Sequence, residues 1–145
     1  MTQPESAPTA SDPIARLQAA LGDLFAPWVQ ALGLRVQAAT GSSVVLRLPH
    51  SPELARTGGM LCGQAMMAAA DTAMVLALIQ HFEEFRPCTT VQLSSSFLRP
   101  LSDQDALVEA RVLRAGKALA FGEIELRGAT DGKSVCHATT TYALL

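Results

Sequence analysis

The sequence predicts an α+β domain in which one long, buried helix lies against a five-stranded antiparallel sheet. Three observations carry this. The stretch GGMLCGQAMMAAADTAMVLALI, residues 58–79, contains one ionisable side chain that matters, Asp71, and its run from Ala65 to Ile79 is apolar except at Asp71 and Thr72, so a helix there needs partners all round. After Pro87, four segments of period-two alternation follow one another with short turn signals between them. Upstream, SSVVLRLP at residues 42–49 supplies a fifth strand.

Taken in order, residues 1–11 are rich in Pro, Ser, Thr and Ala and read as a disordered tail, leaving one domain over residues 12–145. SDP opens an N-terminal helix, with Asp12 as N-cap and Pro13 in the first helical position. Ile14, Leu17, Leu21, Leu24, Trp28 and Leu32 recur at helical spacing and predict one docking face. Pro27 should kink or divide that helix. SPELARTGG is loop, and the central helix runs over residues 63–82. The strands CTTVQLSSSFLRP, ALVEARVLR, ALAFGEIELRG and SVCHATTTYALL follow, with hairpin signals at Ala115-Gly116 and Asp131-Gly132. In the third, Ala120, Gly122, Ile124 and Leu126 share one face and Glu123, Glu125 and Arg127 the other. Ser94 and Ser96 share the strand parity of Thr90 and are expected on its face.

The 145 residues suffice for one core and not for two. A net charge of −2 leaves no electrostatic footprint for nucleic acid or an anionic membrane. Residues 65–79, the longest nearly apolar run, fall short of the roughly 20 that a bilayer requires. The first residues lack the basic and apolar regions of a secretory signal. Cys62, Cys88 and Cys136 are odd in number and contain no CxxC pair, which suits free thiols in a reducing compartment, the cytoplasm. There is no phosphate-binding loop, dinucleotide fingerprint or nucleophile elbow, and His50, His81 and His137 lack metal-ligand spacing. Cys136 and His137 are strand neighbours that point to opposite faces, a poor nucleophile–base couple. No metal or cofactor is expected.

Asp71 is the residue that packing alone does not explain. A buried carboxylate must find hydrogen-bond partners or take up a proton. Held beside an apolar pocket, it suits a general base or a nucleophile. Gly63 brings bare backbone N–H groups to the first turn of the same helix, a site for developing negative charge.

TGGMLCGQAMMAAADTAM, TTVQLSSSFLRP, RAGKALAFGEIEL and HATTTYAL together resemble the PaaI-like acyl-CoA thioesterases of the hotdog fold, from about residue 40 onward. The resemblance implies a long helix wrapped by an antiparallel sheet, dimerised so that two sheets join, as a homodimer or homotetramer. It implies hydrolysis of an acyl-CoA thioester without metal or cofactor. Asp71 would then be general base or nucleophile, and the N–H of Gly63, with Gln64, would polarise the thioester carbonyl. Thr90 would help to place the attacking water. Arg99 and the segment Arg114, Gly116, Lys117 and Ala118 would hold CoA. Where the family carries His-Gly-Gly nine residues before its Asp, this chain has Cys62-Gly63-Gln64, and Arg56 stands where relatives often carry Asn or Gln. These departures leave a second reading, a hotdog protein that binds acyl-CoA without hydrolysing it.

One geometric consequence needs only helix rise. Gly63 and Asp71 lie eight residues apart, about 12 Å along a helix axis at 1.5 Å per residue, so one chain cannot bring both to one carbonyl. If both act on one substrate, they come from two subunits.

Overall fold

The computed structural model describes residues 12–145, and the tail expected at residues 1–11 lies outside them. Its elements are α1 (Pro13–Asp23), a short α2 (Pro27–Gln30), β1 (Arg35–Thr40), β2 (Ser43–Leu48), a 3₁₀ turn (Pro52–Leu54), α3 (Gly63–Phe82), β3 (Cys88–Phe97), β4 (Ala106–Ala115), β5 (Leu119–Gly128) and β6 (Ser134–Leu144). All strand pairs are antiparallel, in the spatial order β1-β2-β4-β5-β6-β3.

The sheet has six strands where five are expected. The additional strand, β1, pairs with β2 through a bulge between Val36 and Ala38. That bulge breaks the alternation on which a strand is recognised, so Val36 is the one buried residue in the element.

At the N-terminus, Asp12 Oδ1 accepts the Ile14 N–H at 3.1 Å and Pro13 opens α1. The helix ends at Asp23, and Pro27, which has no N–H to donate, starts a new turn. The break resets the helical phase. Leu17, Leu21 and Leu32 of the expected stripe are buried, whereas Ile14, Leu24 and Trp28 are 40%, 44% and 65% exposed. The docking face is therefore shorter than the spacing suggests. Gln18 fastens α1 to the start of β1 by accepting the Val36 N–H at 2.9 Å, and Arg16 donates to Gln80 near the C-terminal end of α3 at 3.1 Å.

α3 lies on the inner face of the sheet. Its buried side chains include Met66, Ala69, Ala70, Ala73, Met74, Leu76 and Ala77, against Val44, Leu46, Val108, Ala110, Ile124 and Leu126 of the strands. The alanines let the helix approach closely, and at Gly122 the approach is closest. A Cβ there would overlap Met74 Sδ and stand 2.9 Å from the Arg111 carbonyl oxygen. By length and mean hydropathy, 20 residues at 1.4, α3 could cross a bilayer, but the sheet already covers most of it.

Candidate active site

The sheet leaves one stripe of α3 uncovered. Gln64 and Met67 are exposed along it, and Ala68, Asp71 and Val75 are half-buried. Asp71 thus sits where the core ends, on an otherwise largely apolar strip.

Its carboxylate is held by two hydroxyls. Thr90 Oγ1 donates to Asp71 Oδ1 at 2.8 Å, and the Tyr142 hydroxyl donates to the same oxygen. The Tyr142 hydroxyl also lies 3.0 Å from the Asp71 carbonyl oxygen. Among the described residues nothing donates to Oδ2. One oxygen is therefore anchored while the other stays available.

Thr90 reaches Asp71 because of a second bulge. Thr90 stands opposite Tyr142 in the β3–β6 pairing, but the register slips before Gln92, which faces Thr141. Opposed residues share a face. Beyond the slip, Leu93, Ser95 and Phe97 stand opposite Thr140, Ala138 and Cys136, all buried. Ser94 and Ser96 stand opposite Thr139 and His137, both exposed. The expectation that Ser94 and Ser96 share the face of Thr90 is thereby overturned: the extra residue, Val91, turns Thr90 inward and leaves the two serines outside.

At the other end of the exposed stripe, Gly63 is the first residue of α3. Its N-cap, Cys62, makes no side-chain hydrogen bond. No described group accepts from the N–H of Gly63 or Gln64. An uncapped first turn leaves donors and the positive end of the helix dipole available. Gly63 lines a cavity of about 420 Å³ with Arg56, Met66, Phe97 and Arg99. Neither arginine forms an ion pair among the described residues; Arg56 reaches only Met60 Sδ, at 3.5 Å. Asp71 lines a different cavity, of about 260 Å³, with Thr90 and Tyr142. One protomer brings Asp71 to Thr90 and Gly63 to Arg99, and keeps the two groups apart.

Arg114, Gly116, Lys117 and Ala118 form the exposed β4–β5 hairpin and line neither cavity. The hairpin is closed by Gly116 N–H to the Leu119 carbonyl and tied to β6 by Leu144 N–H to the Ala118 carbonyl, both 2.8 Å. Because Ala120 pairs with Tyr142 and Tyr142 with Thr90, the hairpin stands at the Asp71 end of the sheet. Gln64 is exposed on the first turn of α3.

Tyr142 is the residue that strand periodicity does not single out. It reads as one more inward aromatic, and only the β3–β6 register shows that its hydroxyl meets Asp71. Burial first, and then the hydrogen bond to that carboxylate, pushes its phenol well above the ordinary range. Cys88, in the same cavity, has its thiol pushed up by burial and then by the Asp71 charge, so it stays protonated and weakly nucleophilic. Burial likewise raises Cys136, while His137 faces Glu123 on the outer surface. The three histidines are exposed. No three His, Cys, Asp or Glu side chains among the described residues are grouped to hold a metal ion.

A long central helix wrapped by an antiparallel sheet, with an acid on its exposed stripe and an uncapped first turn, defines a hotdog-type scaffold. The model of the thioesterase superfamily matches residues 58–135, more than half of the chain, including Gly63, Asp71, Thr90 and Arg99 but not Arg56 or Tyr142. A protein of Saccharolobus solfataricus provisionally named an esterase is 32% identical over 101 residues, which cover 70% of this chain and 71% of that protein. A conserved protein of Pseudomonas aeruginosa is 27% identical with a TM-score of 0.76, over 83% of this chain and 95% of that one. The PaaI protein of the E. coli phenylacetic acid degradation operon shares the fold at a TM-score of 0.80 and 17% identity, over 94% and 96% of the two chains. The chain belongs to the thioesterase superfamily, with a PaaI-like hotdog fold.

Proposed function

We propose that this protein hydrolyses acyl-CoA thioesters in sites shared by two subunits. The observation that carries the reading is the separation of a held carboxylate and an uncapped helix start into two cavities of one protomer. A second copy placed against the exposed stripe of α3 supplies each with its complement. The edge strand β3 supports this arrangement. It is ten residues long and unpaired on one side, and Val91, Phe97 and Leu98 along and just beyond it are 59%, 50% and 56% exposed. A long open edge of this kind is normally covered. Pairing two such edges gives a homodimer, and doubling it into a tetramer requires other surfaces.

In the shared site the thioester carbonyl oxygen accepts from the N–H of Gly63, with Gln64 beside it, as negative charge develops. Asp71 Oδ2 takes a proton from water as the water oxygen bonds to the carbonyl carbon, or attacks that carbon itself to give an anhydride that water then opens. In either route the C–S bond breaks and the CoA sulfur leaves with the electron pair and gains a proton. Thr90 and Tyr142 hold Oδ1 so that Oδ2 keeps its aim. Arg56 and Arg99 offer charge to CoA phosphates from the Gly63 side, and Arg114 and Lys117 do so from the hairpin, where Gly116 and Ala118 give the CoA moiety room against the backbone. The three free cysteines suit the cytoplasm.

Thiol release from a panel of acyl-CoA esters tests the assignment. Asp71→Asn keeps the shape and removes the base, and kcat should fall by about 10²–10⁴-fold. Retention of more than about a tenth of the activity would remove Asp71 from the chemistry. Tight binding without turnover by the unaltered protein would select the acyl-CoA-binding reading instead.

A further inference from the structure

The cavity around Asp71 has a wall that does not come from the matched family region. Phe25, Trp28 and Val29, on and beside α2, face Ala68 and Val75 of α3 across it. All three lie outside the 58–135 match, so their placement belongs to this chain's N-terminal segment. Trp28 is there because the helix breaks at Pro27: an unbroken α1 would carry it on the docking stripe, and instead it is 65% exposed at the cavity. Arg16 and Gln18 hold α1 to α3 and β1, which fixes where α2 begins.

We infer that Trp28 is the specificity-determining wall of the acyl pocket and restricts this protein to compact, apolar acyl groups. The inference rests on the thioesterase reading. Its warrant is size and lining. An apolar cavity of about 150 Å³ accommodates a benzene ring. The 260 Å³ that one protomer contributes suits a single ring with a short arm or a medium aliphatic chain, and a second copy on the α3 stripe narrows it further. A long chain extending from a carbonyl near Asp71 must displace the indole. Phe25, Val29, Ala68 and Val75 make the end of the cavity beside the indole apolar, while Asp71, Thr72, Thr89, Thr90 and Tyr142 line the rest. A polar or charged acyl tail at the indole end would lose its hydration without recovering hydrogen bonds.

The test compares the unaltered protein with Trp28→Ala and Trp28→Phe on benzoyl-, hexanoyl- and hexadecanoyl-CoA. Single methylenes in apolar pockets discriminate by about 10–200-fold, so the removal of an indole should be visible. The ratio of kcat/KM for hexadecanoyl- to hexanoyl-CoA should rise at least about tenfold in Trp28→Ala and much less in Trp28→Phe. The benzoyl and hexanoyl arms separate a ring from a chain as the preferred compact group. Because Trp28 is the single tryptophan, its emission gives a readout apart from activity. In Asp71→Asn, hexanoyl-CoA should shift that emission and CoA alone should not. An unchanged chain-length profile in Trp28→Ala, or emission indifferent to the acyl group, overturns the inference while thiol release by the unaltered protein continues. Failure of the unaltered protein to release thiol from any ester instead overturns the thioesterase reading on which it rests.

Discussion

Asp71 is tolerated in the middle of an apolar helix because two hydroxyls reach it and because its stripe is the one the sheet leaves open. The less obvious partner, Tyr142, makes the arrangement measurable. It is the only tyrosine in the chain, so its ionisation can be followed by absorbance without ambiguity. Burial and the Asp71 carboxylate raise its phenol above the ordinary value of 10.0. The folded protein therefore retains a proton that the unfolded chain releases, and the stability Tyr142 contributes is lost as pH rises past about 10. The folded protein should show no phenolate band through pH 10–11, with the band appearing only as the chain unfolds. A phenolate forming near pH 10 in folded protein would mean that the hydroxyl is not held as described.

At the scale of elements, close approach of α3 to β5 depends on the missing side chain at Gly122. Gly122→Ala places a methyl group against Met74 and the Arg111 carbonyl, and should destabilise the fold by about 1–3 kcal/mol in urea unfolding. No loss would show that helix and sheet have more room than the packing indicates. Element types were legible wherever periodicity was clean. The inward face of β5, the buried α3 and the hairpin at Ala115-Gly116 follow from alternation, composition and turn chemistry. Bulges erased the rest, because one extra residue inverts the faces that alternation assigns. This concealed β1 at Val36–Ala38, and it reversed the faces of Ser94 and Ser96 relative to Thr90. Pro27 did the same to a helical stripe, leaving Trp28 at the cavity instead of in the core. Asp71 and Gly63 could be singled out because each violates its local pattern. Tyr142 violates none, and only strand register reveals it.

For the whole molecule, one fold presents two separate clusters, which the proposed function reads as the halves of a shared site. The carboxylate with Thr90 and Tyr142 occupies one cavity, and the uncapped start of α3 with Arg56 and Arg99 occupies another. Helix rise separates them by about 12 Å, which no aspartate side chain spans. The edge of β3 and the exposed stripe of α3 are the surfaces on which a second copy would complete both. Two-fold symmetry then makes two equivalent sites per dimer. The most direct measurement is complementation between two inactive variants. Asp71→Asn removes the acid, and Gly63→Pro removes the N–H at a first-turn position where proline fits the helix. Each alone should be nearly inactive. Unfolded together in equal amounts and refolded, they should form mixed dimers in half of the cases, each with one intact site. Thiol release should then recover to about a quarter of the unaltered level. No recovery, with mixed dimers demonstrably formed, would contradict a site shared between subunits.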